Sequence, residues 1–277
     1  MADFEFALGD DADMIRDAAA LFERGEKMQL AYNIRNTHRA IGTKISSKIT
    51  RKFGMSGLQA GHLTVRLRGS AGQSLGAFAV RGLKLEVLGD ANDYVGKGLS
   101  GGSIVIRPAP SSTLVWSDNA IVGNTCLYGA TAGELFAAGQ AGERFAVRNS
   151  GATTVVEGCG SNGLEYMTGG VAVILGAVGD NFGAGFTGGQ AFIYDADATF
   201  ERRVNPETLL WKRLSSAHWE TALQELVQRH AAETGSRLAA RLLNDWASER
   251  QHFWHVVPKD YAKYLPQPME DMVLAAE

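Results

Sequence analysis

Hydrophobic and polar positions change period twice along the chain, and the changes mark three segments. In the first, residues 1–57, apolar residues recur three and four apart. DADMIRDAAALFERGEK carries Met14, Ile15, Ala18 and Phe22 before Gly25, and RAIGTKISSKITRKFG carries Ile41, Ile45 and Ile49 before Gly54. Both patterns predict amphipathic helices ended by glycine, joined by short connections. Lys and Arg gather before Gly54, where cations suit the end of a helix dipole.

The last segment, 205–277, is also read as helical. Leu223, Leu226 and Val227 form one stripe. Ser236 caps a second helix bearing Leu238, Leu242, Leu243 and Trp246, and Pro258 opens a short helix, PKDYAKYL. His218, His230, His252 and His255 fall here without metal-ligand spacing and are read as surface or packing residues.

Between them, residues 58–204 show short β-type runs, each entered from a glycine. Gly82 precedes LKLEVLG, Gly102 precedes SIVIRP, Gly133 precedes ELFAAG, Gly151 precedes ATTVVEG, Gly170 precedes VAVILG and Gly189 precedes QAFIYD. The intervals are 20, 31, 18, 19 and 19 residues; the long one holds an insertion, PAPSSTLVWSDNA, whose removal restores the period. Six units of this length exclude a propeller blade, which is about twice as long, and a leucine-rich repeat, whose leucine ladder is missing. The expected fold is an all-β core: a single-stranded right-handed parallel β-helix of about six coils. Flanking N- and C-terminal helices would cover its open ends, making one compact domain. Glycine would supply left-handed corners and close approach between coils.

This repeat disposes of a decoy. TTVVEGCGSNG has the G-x-G-x-x-G spacing of a dinucleotide turn at Gly158, Gly160 and Gly163, but the next β-type run follows too soon for a crossover helix. GDANDYVGKG resembles a phosphate loop with the wrong spacing, and Leu99 stands where a Ser or Thr would hold magnesium. Asp90, Asp93 and Asp180 are read as Asx turns rather than metal ligands. Glu134, Glu143, Glu157 and Glu165 sit at different phases of the repeat, and no histidine lies between His62 and His218, which removes most His-dependent mechanisms.

Composition narrows the classes further. The 277 residues include 33 glycines but only six prolines, without a G-X-Y period, so neither collagen nor a disordered linker fits. A net charge of -3 gives no sign of a nucleic-acid or anionic-membrane partner. There is no apolar run near 18 residues and no leader pattern. Two cysteines, Cys126 and Cys159, suit a reducing compartment as buried small hydrophobes, so a cytoplasmic location is expected.

Long motifs then carry a family resemblance. RGSAGQSLGAFAVRG, GDANDYVGKGLSGGSIVIRP, GNTCLYGATAGELFAAGQAGERFAVRNSGA and GDNFGAGFTGGQAFIYD resemble the C-terminal G-x-G-x-G domain of glutamate synthase large subunits. NTHRAIGTKIS upstream and RHAAETGSRLAARLLNDW downstream extend the likeness, which is nearest to bacterial NADPH-dependent forms. The resemblance implies a right-handed β-helix acting as a non-catalytic spacer, with no catalytic, cofactor or metal residue in this chain. It implies partners in the same polypeptide: an amidotransferase domain with a cysteine nucleophile, and an FMN barrel with an iron–sulfur cluster. A separate beta subunit, with FAD and further iron–sulfur clusters, would bring NADPH electrons. The chain lacks both catalytic regions, so it is expected to be one domain of a longer parent. By the same resemblance Arg68, Gln73, Asp90, Asn92 and Lys97 are candidate interdomain contacts. The alternative is a freestanding β-helix protein within another multisubunit enzyme, similar to the one in formylmethanofuran dehydrogenase or to a glutamate methyltransferase-like protein. An independent enzyme or ligand-binding protein using the grooves of the β-helix is the third class.

Overall fold

A computed structural model describes residues 11–270. Two short helices, α1 (Asp11–Asp17) and α2 (Ala19–Arg24), precede β1 (Met28–Ile34), α3 (Thr43–Phe53), β2 (Leu63–Ala71), β3 (Leu83–Ala91) and β4 (Ser100–Arg107). Then come β5 (Ala120–Val122), β6 (Ala132–Ala137), β7 (Gln140–Ala141), β8 (Ser150–Val156), β9 (Gly169–Ile174) and β10 (Gln190–Tyr194). The chain ends through β11 (Leu209–Arg213), α4 (Ala217–Thr234), α5 (Arg237–Asn244), α6 (Trp246–Glu249) and β12 (Phe253–Pro258). No helix among the described residues is long and apolar enough to cross a membrane.

The sheet runs β1-β2-β3-β4-β6-β8-β9-β10-β12-β11. Every pairing from β1 to β10 is parallel; the two involving β12 are antiparallel, so the sheet is mixed. Apart from shifts between Ser100 and Ser103 and between Ser150 and Thr153, each parallel strand pairs with the next unit of the repeat in continuous register. Lys84 faces Ser103, which faces Glu134, then Thr153, Val171 and Gln190. Those steps are 19, 31, 19, 18 and 19 residues, the period read from the sequence. A second line of contacts runs β3–β5–β7 and continues through Ala141, Cys159 and Val178.

Alternation along the strands builds two cores. One face stacks Leu67, Val87, Ile106, Ala137, Val156, Ile174 and Ile193 in register, all buried, and Thr154 joins the adjacent column with its hydroxyl on Leu135 O at 2.9 Å. The opposite face carries Val105, Phe136, Val155, Val173 and Phe192 against Trp219, Leu223, Val227 and Leu242 of α4 and α5. The C-terminal helices therefore cover the side of the sheet rather than its open end. That outer column is apolar, so it needs a cover as much as the strand edge does. The ends of the inner stack are closed by Met14, Leu21, Ile41, Ile45 and Ile49, and at the far end by Phe200, Val204 and Leu209.

The helical reading of the two flanks needs correction. Met28–Ile34 is a strand, not a connection, because its parallel register with β2 satisfies a full row of backbone groups. At the other end Pro258 closes β12 opposite Leu209; it does not open a helix, and among the described residues only a single 3-10 turn, Ala262–Tyr264, follows. The helix expected from Ser236 to Phe253 breaks at Asp245, whose φ and ψ of -120° and 41° are not helical.

The corners of the repeat are built from a motif the glycine count only half revealed. In each unit three residues at alternate positions adopt positive φ: Ser74, Gly76 and Phe78; Tyr94, Gly96 and Gly98; Thr125, Leu127 and Gly129. Arg144, Ala146 and Arg148, then Asn162, Leu164 and Tyr166, then Asn181, Gly183 and Gly185 continue it. Two-thirds of these positions are not glycine. Hydrogen bonding explains why the conformation persists. The first and third N–H of a triad reach forward (Arg144 to Ser161 O, Arg148 to Glu165 O, both 2.9 Å), and the middle one reaches back (Ala146 to Cys126 O, 2.9 Å). The same alternation holds at Ser74–Phe78 and Tyr94–Gly98. Each left-handed residue costs about 1–2 kcal/mol, and inter-unit hydrogen bonds offset it.

Candidate functional site

The glycines aligned in the sequence fall on or beside one column. Extending the ladder one residue back from Lys84, Ser103, Glu134, Thr153, Val171 and Gln190 gives Leu83, Gly102, Gly133, Ala152, Gly170 and Gly189. Gly82 and Gly151 are one residue early, and at Gly151 the register between β8 and β9 is irregular, between Ser150 and Thr153. A β-carbon at Gly133 would lie 2.5 Å from Gly102 O, at Gly170 2.3 Å from Ala152 O, and at Gly189 2.6 Å from Gly170 O. At Gly151 it would lie 2.1 Å from Thr131 O, at Gly82 2.5 Å from Leu58 Cβ, and at Gly102 2.9 Å from Ala79 Cβ. At these glycines a side chain is excluded because the preceding chain occupies the space.

Gly82, Gly102, Gly133 and Gly151 line a groove of about 400 Å³ together with Ala60, Arg81 and Arg229. The Arg229 guanidinium holds both carboxylate oxygens of Glu134 at 2.7 Å, which turns its charge inward. On the same strand face Lys84 bonds Glu233 at 2.7 Å and Glu86 at 2.9 Å, and Arg66 bonds Glu86 at 2.9 Å. These pairs tie α4 to β3 and β6.

Beneath α4 lies a buried polar group. Glu157 Oε1 accepts the hydroxyl hydrogen of Ser236, and His230 Nε2 stands 3.5 Å away; all three residues are buried. Ser236 Oγ in turn accepts from Ala239 N at 3.0 Å as the cap of α5. A serine, a histidine and a carboxylate are therefore together, but the hydroxyl is aimed at the carboxylate and the ring does not touch it. A nucleophile needs its base on the hydroxyl and an open approach, and this arrangement has neither. Its effect is to fasten α4 and α5 to β8. His255, also fully buried, bonds Gln190 Oε1 at 2.9 Å and stacks on Phe192 at 4.7 Å; burial pushes its pKa down to about 3. Burial pushes the thiols of Cys126 and Cys159 up to about 12, so both are poor nucleophiles.

The candidate contact residues divide between two places. Arg68 and Asp90 lie near the ends of adjacent strands, where Ser70 faces Asp90 and donates to its carboxylate at 3.1 Å. Gln73 and Asn92 follow a few residues on, all four exposed. Lys97 lies around the corner, with Nζ 5.7 Å from the Tyr94 ring centre. Its neighbours in the corner triads are Phe78 and Tyr94; these and Tyr166, three units further on, are exposed aromatics absent from the sequence-based candidates. Their alternate-position spacing with Gly96 and Gly98 was the signal available. The acidic residues weighed as catalysts stay apart: Glu134 pairs with Arg229, Glu165 with Arg144, and Glu157 is buried. Asp93 accepts from Asn124 N at 2.8 Å, a bond between units 31 residues apart rather than the expected Asx turn, and Asp180 pairs with Arg203 at 3.1 Å. Among the described residues no three His, Cys, Asp or Glu side chains form a group that could hold a metal. Two cysteines also fall short of the four thiolates of an ordinary iron–sulfur cluster.

A repeat of parallel strands, glycine columns and left-handed corners, joined to its flanking helices by ion pairs, defines a glycine-rich repeat domain. The GXGXG motif family matches residues 11–259, and the chain belongs to that family. It is 66% identical over 259 residues to the large chain of NADPH glutamate synthase from Azospirillum brasilense, covering 94% of this chain and 17% of that protein. It is 48% identical over 256 residues to a ferredoxin-dependent glutamate synthase from Pyropia yezoensis, 92% of this chain and 16% of that one. With the NADH glutamate synthase of Schizosaccharomyces pombe it shares 45% over 255 residues, 92% of this chain and 12% of the relative. The chain thus spans about one-sixth of the length of the first two relatives it matches.

Proposed function

We propose that the chain is a non-catalytic structural domain, C-terminal in a glutamate synthase large chain, and that its repeat is a right-handed parallel β-helix. The observation that carries this reading is 66% identity along 94% of the chain to a protein of which it represents only 17%. Support comes also from the fate of its reactive groups. Buried His230 and Ser236 are both directed at buried Glu157, the thiols are buried, and the carboxylates Glu134 and Glu165 pair with arginines.

In this reading the parent protein converts glutamine, 2-oxoglutarate and NADPH to two glutamates in the cytoplasm. FMN and an iron–sulfur cluster sit in the remainder of the large chain, and FAD with further clusters in a beta subunit. The domain spaces and orients the amidotransferase and barrel regions, with Arg68, Gln73, Asp90, Asn92 and Lys97 at its contact faces. Its own residues move no proton and bind no cofactor.

An antibody raised against this chain tests the proposal on extracts of the source cells. A native band far above 29.7 kDa is expected. A native band at that mass overturns the reading in favour of a freestanding protein. Ammonia release from glutamine by the purified chain alone would overturn the non-catalytic assignment.

A further inference from the structure

Two adjoining hollows of about 530 and 470 Å³ run between α1–α2 and α3 and share Ile15 and Lys48. Their floor is apolar: Ile15, Ala19 and Phe22, with the Phe22 ring stacked on Phe53 at 6.2 Å. Their rim is cationic, formed by Arg16, Lys44, Lys48, Arg51 and Lys52, against a single carboxylate, Glu23.

The cations of α3 stand at positions 44, 48, 51 and 52, one face of the helix, while Ile45 and Ile49 fill the other and are buried. The helix dipole accounts for Arg51 and Lys52 in the last turn but works against Lys44 in the first. Arg16 is engaged by Asp13 at 2.8 Å and Asp17 at 3.0 Å. Lys48 rests over the Phe22 ring at 4.3 Å. Among the described residues no ion pair joins Lys48, Arg51 or Lys52 to a carboxylate. Three cations with no carboxylate partner bordering an apolar trough complement a polypeptide with acidic residues on its flanks and apolar ones on its buried side.

We infer that this trough seats an acidic, apolar-faced segment from the remaining part of the large chain, an inference that rests on the parentage proposed above. The helices that build the trough close one end of the inner stack, whereas α4 and α5 cover the side of the sheet. The trough thereby gives the domain a second attachment face, distinct from the strand ends that carry Arg68 and Asp90.

The test uses the full native-length large chain with p-benzoylphenylalanine replacing exposed Ser47, which lines the trough. The mass of the native polypeptide is read before irradiation; a chain no longer than this one overturns the parentage itself. With a long chain in hand, irradiation followed by peptide sequencing is expected to join Ser47's position to an acidic stretch elsewhere in the same polypeptide. The double reversal Lys48→Glu/Arg51→Glu should lower that yield by about fivefold. The neutral pair Lys48→Gln/Arg51→Gln should fall between, which separates charge from any loss of fold. Capture of a non-acidic stretch, of a second copy, of residues 1–10, or of lipid overturns the inference. So does a yield insensitive to both pairs, or no product at all.

Discussion

The ring of Phe78 lies against the backbone of Gly98 in the next unit, so near that a β-carbon on Gly98 would stand 2.4 Å from Phe78 Cε1. Tyr166 covers Gly185 in the same way, at 2.4 Å from Cδ1. In both cases a bulky residue in the third left-handed position of one corner roofs a glycine in the same position of the following corner. The pairing explains how an exposed aromatic is retained where φ is positive, since the ring regains contact that the glycine lacks.

Gly98 and Gly129 occupy that third position in consecutive units, with φ of 62° and 65°, but nothing lies within 4 Å of a β-carbon on Gly129. Gly129→Ala should therefore cost about 1 kcal/mol from backbone strain alone. Gly98→Ala should cost about 2–3 kcal/mol, and adding Phe78→Ala should return it to near the Gly129→Ala value. Urea unfolding of the three variants decides it; equal losses for the two single alanines would remove the roofing argument.

Gly170→Val and Gly189→Val place a branched β-carbon against Ala152 O and Gly170 O with φ near 90°. Each is expected to lose about 3 kcal/mol or more, enough to abolish soluble expression. Gly102 lacks a positive φ and its contacts are looser, Ala79 Cβ at 2.9 Å and Ala79 O at 3.2 Å, so Gly102→Val should be the mildest of the three. Thermal melts of whatever remains soluble rank them.

The first left-handed position is held by Asn162 and Asn181 in two units, and their side chains form a ladder: Asn181 Nδ2 to Asn162 Oδ1 at 2.9 Å, Asn205 Nδ2 to Asn181 Oδ1 at 3.0 Å. Thr125 occupies the same position with φ 60°. Asparagine tolerates this conformation and a β-branched residue does not. Thr125→Asn should raise stability by roughly 0.5–1 kcal/mol, read as a higher urea midpoint at unchanged slope.

Glu157→Ala removes the acceptor of a buried serine hydroxyl and leaves a cavity beneath α4, for an expected loss of about 3 kcal/mol. Glu134→Ala breaks only a part-exposed pair with Arg229 and should cost under about 1 kcal/mol. Hydrogen exchange over α4 and α5 should quicken in the first variant and stay unchanged in the second.

His255 takes up a proton near pH 6.5 when unfolded and near pH 3 when folded. Between those values the unfolded chain binds more protons, so stability falls as pH drops through the window and is fully present above it. The slope from this residue reaches at most about 1.4 kcal/mol per pH unit. His255→Asn should be less stable at pH 7 yet show a flatter decline toward pH 4 in melting temperature. An unchanged slope would assign the acid sensitivity to other groups.

What the sequence determined by itself was everything set by local period. Spacing from Lys84 to Gln190 is the rise of one strand over the next, so the repeat, its insertion and the parallel stacking were legible before any coordinates. The helices around Ile45 and Leu223 were legible too, because one apolar stripe at helical spacing admits little else. Their destinations were not. Whether α4 covers an end or a side depends on Phe136, Val173 and Phe192 turning outward together, a property of register between strands. Met28–Ile34 and Phe253–Pro258 became strands only because each found a row of unpaired backbone groups beside it. The left-handed corners at Arg144, Ala146 and Arg148 carry no glycine at all. Their conformation is fixed by N–H groups reaching to units before and after, and such long-range bonds leave no mark on composition.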